Sequence, residues 1–436
     1  MLGVAFSRDG KVAVSSGANG TAKLWEVASG GELRRFGDHQ KGVLSVTFSP
    51  DAKLALSGDG DGSVKVWETT SGRELRSFAS HEGGIRSVAF SPRGRLALSG
   101  GIDGPITLWE VASGRELCRF IGHQGSVFSV AFSRNGKLAL SGGSDGKTRV
   151  WDVASGREVN SFASREGGVL SVAFSPDGKF ALSGASDGMV SLWEVASSRE
   201  LRSFGRHQGG VLTVAFSPDE KFMLSGDSDG IVMLWEVASG KELRSFVGHR
   251  GGVRSVTFSL DGKLALSGGA DGTVRIWELA SGRELRSLAS RQRGVLSAAF
   301  SLDGKLAMAG GIDGTVTLLD FSRADAYQTF NARLPGAFGA IHGNPNDAAA
   351  LAVVGNWYAF RGAESWAVEF LENARRGGAV VSSLTLARCY WELSRFDEAR
   401  REFHRALEAG EAPTPYLRLC LEAVPTTNGS ESKATR

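Results

Sequence analysis

Seven tryptophans stand at equal steps of 42 residues, at Trp25, Trp67, Trp109, Trp151, Trp193, Trp235 and Trp277, and the eighth step lands on Leu319. A strict internal period of this length means a solenoid, a propeller or another array built by stacking one supersecondary unit. Function must then be sought on the surface that the array builds.

The second unit shows what is being repeated. Residues 43–49 (VLSVTFS) are an apolar, β-branched run ended by Pro50-Asp51, and residues 53–58 (KLALSG) are a second run ended by Asp59-Gly60-Asp61-Gly62. Residues 64–69 (VKVWET) form a third run, and Ser71-Gly72 breaks it before the fourth, residues 74–79 (ELRSFA). Four strands of about six residues with tight turns predict an antiparallel meander. No gap is long enough for a crossover helix, which excludes a parallel α/β sheet. Radial stacking buries each such sheet between two neighbours and leaves only short edges, so the expected fold is a β-propeller. In the last unit Tyr327 to Phe330 fall 42 residues after Leu285 to Leu288 and stand in for a fourth strand. The ladder therefore predicts eight four-stranded blades, with seven plus a stray unit as the weaker alternative.

The repeated unit resembles the WD-repeat family in Gly122-His123, Ser141, Gly142-Gly143-Ser144-Asp145-Gly146 and Val150-Trp151-Asp152. Most units close on Trp-Glu, as in Trp67-Glu68 and Trp109-Glu110. The resemblance covers residues 1–331. It implies a propeller whose members serve as docking platforms for other proteins. It also implies a buried relay in each blade, in which Asp holds His and the chain of hydrogen bonds continues through Ser to the indole N–H. The sets are His39, Ser57, Asp61 and Trp67; His81, Ser99, Asp103 and Trp109; His123, Ser141, Asp145 and Trp151; His207, Ser225, Asp229 and Trp235; and His249, Ser267, Asp271 and Trp277. Ser, His and Asp together also suggest a hydrolase, but a triad needs one exceptional nucleophile and an oxyanion site. Fivefold repetition at one spacing favours a structural role, and no catalytic residue is assigned.

Three units depart from the pattern. The fifth has Arg165 for His but keeps Ser183, Asp187 and Trp193; the eighth has Arg291, Ala309 and Leu319 and keeps only Asp313. The first has Ser15, Trp25 and Asn19, and no His, because the sequence opens inside its first strand. The seam between units one and eight is thus expected to be the softest part of the ring. The abrupt start also fits the end of a longer protein whose upstream domain is absent.

Recognition should lie where the units disagree. One position of the innermost strand varies while its neighbours hardly do: Leu2, Leu44, Arg86, Phe128, Leu170, Leu212, Arg254 and Leu296. The family resemblance places it near the channel mouth, where Arg86 and Arg254 would face each other four blades apart. Apolar residues, an aromatic and two arginines have the composition of a partner hot spot. The alternative is that these side chains pack under the loops.

Composition narrows the classes. A net charge of +3 on 436 residues implies no general attraction to nucleic acid or membrane. Cys118, Cys389 and Cys420 are odd in number and far apart, pointing to free thiols in a reducing, cytoplasmic setting rather than to a disulfide framework or zinc site. Neither a signal peptide nor a long apolar run is visible. The Asp-rich turns at Asp59 and Asp227 resemble the opening of a calcium loop, but their twelfth positions are Thr70 and Ala238, so neither metal nor cofactor is expected. Arginines such as Arg73, Arg76, Arg115 and Arg119 sit on the outer strands among Glu74 and Glu116, as solvated rim charges.

After residue 331 the grammar changes. Residues 332–345 are rich in Gly and Pro and predict a linker; residues 346–424 then turn helical, and 425–436 form a polar tail expected to be disordered. Helices are expected at about 346–360, 363–376, 380–393 and 396–409, with a short apolar segment at 416–424. This region resembles the tetratricopeptide repeat. Leu351, Gly355, Tyr358, Ala367, Leu371 and Ala374 fit one copy, and Leu386, Ala387, Tyr390, Ala399, Phe403 and Ala406 fit the next. Trp357, Trp366 and Trp391 are candidates for an outward contact or for internal packing. Two binding-type modules and no singular reactive cluster, since His342 and His404 lack partners in sequence, favour a monomeric, non-enzymatic protein-interaction scaffold. The alternative is the regulatory portion of a larger signalling protein with an upstream, for example kinase-like, domain.

Overall fold

The computed structural model describes residues 3–423 apart from 8, 28–30, 38, 80, 165, 206, 290–293, 302–305, 312–315, 321–323, 361–362 and 413. Leu2, Arg165, Arg291, Asp313 and the tail therefore lie outside the described residues. The chain divides into two compact units, Met1–Phe321 and Ser322–Arg436.

The first unit is a ring of eight antiparallel meanders; among the described residues seven have four strands and the eighth has three. Blade two shows the common build: Val43–Phe48, Leu54–Asp59, Ser63–Glu68 and Glu74–Ala79, each hydrogen-bonded to the next. The first strands of successive blades pack on one another, and that of blade one, Val4–Phe6, packs on that of blade eight, Val295–Phe300. They therefore line the centre. In blades two to eight a side chain from the first strand also bridges to the next blade. Val88 N–H donates to Ser45 Oγ at 3.2 Å, Val130 to Ser87 at 3.2 Å, Val172 to Ser129 at 3.3 Å and Val214 to Ser171 at 3.2 Å. Val4 N–H donates to Ser297 Oγ at 3.2 Å and closes the ring.

Glycine permits the close approach of blades. In the second strand, Gly100, Gly142, Gly184 and Gly226 each lie under the first Val of the next blade; a Cβ on Gly142 would sit 2.6 Å from Val169 Cγ1 and 2.8 Å from Val172 Cγ1. The aromatic ladder supplies the outer layer. Phe36, Phe78, Phe120, Phe162, Phe204 and Phe246, each on the outer strand of one blade, lie against Trp67, Trp109, Trp151, Trp193, Trp235 and Trp277 of the next, with centroids 4.8–5.7 Å apart.

One expected strand is not found among the described residues. Tyr327 to Phe330, expected to be the fourth strand of blade eight, lie within helix α1, Ala324–Gly343. The preceding turn differs in sequence. Outer strands in other blades follow a residue with positive φ, such as Gly72 at 76° or Gly282 at 75°, and the equivalent position here is Ala324. A left-handed turn at a non-glycine residue costs roughly 1–2 kcal/mol; Ser198 at 61° bears that cost before the outer strand of blade five, whereas residues from Ala324 onward are helical.

The same helix corrects the expected linker at 332–345, because α1 continues through Gly343 despite Pro335. Leu334 and Ala337 are buried against Ala350 and Val354, and this apolar stripe holds the segment helical. Helices α2 (Ala348–Phe360), α3 (Glu364–Arg376), α4 (Ser383–Glu392), α5 (Phe396–Glu408) and α6 (Thr414–Ala423) follow. Asp347 caps α2 through Ala350 N–H at 2.9 Å, and Ser382 caps α4 through Thr385 N–H at 3.1 Å. Leu351, Ala367, Leu371, Ala374, Leu386, Ala387, Tyr390, Ala399, Phe403 and Ala406 are all in the core, and a Cβ on Gly355 would meet Leu371 Cγ at 2.7 Å. Trp391 packs edge-on to Phe396 and Phe403, Trp357 lies partly buried against the α1–α2 core, and Trp366 is 56% exposed.

Overpacking at a blade contact gives a direct test. Gly142→Ala should lower stability by about 1–3 kcal/mol, read as a lower urea midpoint, because Val169 and Val172 have no room to retreat.

Candidate functional site

Two constellations repeat around the ring, one inside the blades and one at the centre. The first is the His–Ser–Trp relay. In blade three His81 Nδ1 lies 2.7 Å from Asp103 Oδ1 and Nε2 lies 2.8 Å from Ser99 Oγ, while Trp109 Nε1–H donates to the same hydroxyl at 2.9 Å. Blades four and seven repeat it with His123, Asp145, Ser141 and Trp151, and with His249, Asp271, Ser267 and Trp277. Every donor is satisfied when His Nδ1–H donates to the carboxylate, Ser O–H donates to Nε2 and the indole donates to the Ser oxygen. Ser57, Ser99, Ser141, Ser225 and Ser267 are fully buried. These hydroxyls face an indole and an imidazole, so the sets act as clasps that fix the loop before each blade to its second and third strands.

Blades two and six depart from the expected residues. His39 Nδ1 pairs with Asp59 Oδ2 at 2.6 Å, and His207 Nδ1 with Asp227 Oδ2 at 2.8 Å, rather than with Asp61 and Asp229. The other halves are as expected: His39 to Ser57 and Trp67, and His207 to Ser225 and Trp235. The reason is positional. In blade four that strand-end position is Gly143, where a Cβ would lie 2.4 Å from His123 Nδ1. Any side chain there is already against the imidazole, so an aspartate takes the partner's place. Asp59 also accepts Asp61 N–H and Ser63 N–H, both at 2.9 Å, and Asp61 turns outward to Lys41 at 2.8 Å.

The outlying blades keep fragments. Trp193 N–H donates to Ser183 at 2.9 Å in blade five, where a small cleft lined by Ser164, Ser183, Ser191, Ser203 and Glu200 lies beside the hydroxyl; Asp187 accepts Glu166 N–H at 3.2 Å and Met189 N–H at 3.0 Å. In blade one Trp25 donates to Ser15 at 2.9 Å, and Asn19 is engaged by Thr21. Arg149, buried, adds charge to blade four through Asp145 at 3.1 Å and Glu158 at 3.3 Å.

Burial sets the protonation of the clasps. It pushes His123 and His249 below the ordinary imidazole value, outweighing the neighbouring carboxylates. Burial acts to raise Asp271, but hydrogen bonds from Arg250 N–H, Thr273 and His249 prevail and hold it at about 2.

The second constellation is the variable ring, where the structure adds what the sequence did not show. In blades two to eight each variable position is the extra residue of a β-bulge: the register steps over Leu44, Arg86, Phe128, Leu170, Leu212, Arg254 and Leu296. A bulge breaks strict alternation and re-aims its side chain. Arg86 and Arg254 are exposed, and the five apolar members are half-buried. Leu212 also leans on the following loop, for its Cδ1 lies 3.1 Å from where a Cβ on Gly252 would be. The ring thus combines support of the loops with a partly accessible apolar surface.

The family model of the WD domain, G-beta repeat, matches residues 2–26, 30–68, 72–110, 114–152, 156–194, 198–236, 240–278 and 282–320. The chain belongs to the WD40 family. Among solved structures, this WD40 chain is similar to the computationally designed Ika8 protein, at 32% identity and a TM-score of 0.66, over 73% of this chain and 95% of that one. No curated protein matches it significantly.

Two measurements test the clasps of this WD40 ring. Asp59→Ala should cost about 3 kcal/mol, by stranding a buried imidazole N–H and two backbone donors, whereas Asp61→Ala should stay within about 1 kcal/mol. Urea midpoints of the two variants decide between the carboxylates. The second is pH. His123 and His249 are depressed in the fold, so below about pH 6.5 the unfolded chain binds more protons and stability falls; Asp271 adds a further loss below about pH 4. A urea midpoint that held or rose from pH 7 to pH 5 would contradict this assignment.

Proposed function

We propose that this chain is a protein-interaction platform whose central ring of bulge residues docks a peptide or protein segment with an acidic or apolar anchor. WD40 propellers generally serve as protein-interaction scaffolds, and the observation that carries the finer reading is the placement of the variable position on a β-bulge in seven successive blades. Sequence variation falls where geometry re-aims a side chain, while the neighbouring first-strand residues, such as Val43, Ile85, Val127 and Val169, stay apolar and buried. Arg86 and Arg254, across the ring from each other, supply two exposed cations, and Phe128 with the leucines supplies apolar area. Nucleic acid and membrane are not expected as partners on a near-neutral chain, and among the described residues no helix is long and apolar enough to cross a membrane.

We read α2 to α5 as two tetratricopeptide-type hairpins and a second interaction module. Its support is the burial of ten predicted packing residues and the tight fit of Leu371 over Gly355. Among the described residues the cysteines are free, and burial pushes the Cys389 thiol up to about 12, which suits a reducing, cytoplasmic setting. A monomeric scaffold is the simplest reading of such a chain.

Partner capture by the intact chain should fall at least about ten-fold on combining Arg86→Glu with Arg254→Glu, with the urea midpoint unchanged. Undiminished capture would place the docking site elsewhere.

A further inference from the structure

At the end away from the bulges, each blade carries two turns, one joining the first strand to the second and the other the third to the fourth. In blade three Val111 N–H donates to Arg95 C=O at 3.0 Å, and in blade four Val153 N–H donates to Lys137 C=O at 2.9 Å, so the two turns sit side by side on one face. Charge on that face is balanced in blades two, five and seven. Lys53 and Arg73 stand against Asp51 and Glu68, Lys179 and Arg199 against Asp177 and Glu194, and Lys263 and Arg283 against Asp261 and Glu278. Blade six is net negative, with Lys221 and Lys241 against Asp219, Glu220 and Glu236.

Blades three and four break the balance. Arg93, Arg95 and Arg115 stand against the single acid Glu110, and Arg134, Lys137 and Arg157 against the single acid Asp152. All six cations are exposed. Among the described residues none of them has an ion pair, whereas Lys179, Lys221 and Lys263 pair with Asp177, Asp219 and Asp261 at 2.9, 3.6 and 3.9 Å. Both acids are already engaged within their own turns, Glu110 by Ser113 at 2.5 Å and Asp152 by Ser155 at 2.6 Å. The two blades form one patch, for a Cβ on Gly136 would lie 3.4 Å from Pro92 Cδ.

These substitutions do nothing for the turns. In blades two, five, six and seven the serine ending the first strand donates to the turn aspartate at 2.6–2.7 Å, and that carboxylate accepts the N–H of the lysine two residues on. Blade three has Arg93 at that position, which cannot accept, and Ser91 Oγ accepts from Leu96 N–H at 3.0 Å instead. Blade four has Asn135, which keeps both hydrogen bonds without the charge, and Arg134 stands where blades two, three, five and six have proline. Two adjacent turns thus part from the common chemistry in different ways, and concentrated positive charge is what the changes share.

We infer that this face of blades three and four is a second docking surface, for an acidic, extended segment of a protein partner. Charge complementarity selects the class, and the extent of the patch narrows it. Affinity for a nucleic-acid backbone grows with the number of cations along it, and a strand running past these two blades would meet the balanced turns of blades two and five and the extra carboxylate of blade six. A short acidic segment fits within the patch. The surface lies at the opposite end of the first strands from Arg86 and Phe128, and it does not depend on the central ring.

The probe is a fluorescent, amidated peptide of alternating glutamate and aspartate, about eight residues long, enough to cross two adjacent turns at roughly 3.3 Å per residue. It is titrated onto the intact chain by anisotropy, at low and at physiological salt. Arg93→Asp with Asn135→Asp restores the aspartate of the other blades, so the urea midpoint should hold or rise while affinity falls at least about ten-fold and its salt dependence flattens. Lys179→Gln, Lys221→Gln and Lys263→Gln together make the same change in net charge on the same face and should leave affinity within about two-fold. Support requires both results, with binding retained when Arg86→Glu and Arg254→Glu are combined. An equal loss in the three-lysine variant would reduce the effect to overall charge and overturn the proposal, as would no saturable binding at about millimolar peptide. Loss confined to the Arg86→Glu and Arg254→Glu variant would move acidic segments to the central ring. Tighter binding of an oligothymidylate of equal charge, lost in the aspartate variant, would give the patch to nucleic acid instead. Salt-sensitive self-association abolished by the aspartate variant would give it to the acidic turn of a second copy.

Discussion

The clamping of an indole from two directions organises this ring. Each buried tryptophan has its N–H held by a serine of its own blade and its face covered by a phenylalanine of the blade before. The hydrogen bond is intra-blade and fixes the second strand against the third; the ring contact is inter-blade and fixes one sheet against the next. Because the same side chain does both, blade geometry and blade packing cannot vary independently. The histidine clasp joins the same serine and ties down the inter-blade loop, so the central face inherits its shape from the outer layer.

Much of this was legible because periodicity is a property of backbone and core together. The tryptophan ladder, the four-run units and the His–Ser–Trp spacings transfer directly into strands and hydrogen bonds, and the buried small and large residues of α2 to α5 follow from helical period. Three features were not legible, each for a physical reason. Asp59 and Asp227 displaced the expected carboxylates because two aspartates two residues apart look equivalent in sequence, and only the closeness of the strand end to the imidazole separates them; an acidic residue where blade four has Gly143 was the available signal. The bulges were hidden because a single extra residue in a six-residue strand hardly disturbs its composition. The fourth strand of blade eight was extrapolated from spacing alone, past the point where Ala324 stands at the turn glycine's place.

The candidate docking ring shows the same division. Which positions vary is a sequence fact, whereas their common exit from strand alternation is a backbone fact. Arg86 and Arg254 stand free of the wall while Leu212 leans on its neighbour, so the ring is part support and part surface. Arg86 and Arg254, on first strands four blades apart, are exposed cations on a chain that is near neutral as a whole.

The hydrogen bond from Val4 N–H to Ser297 Oγ joins residues 293 apart, whereas the other bridges between first strands span 43. Assembly can therefore proceed as a succession of local steps, each blade forming within its own stretch and adding to the last. Bringing the two ends together carries the long-loop entropy, which grows only slowly with length but is offset only by contacts made at the end. The rate-limiting event in forming the closed circle should thus be the meeting of its first and last sheets, and near-identical neighbours raise the chance of a wrong partner before it.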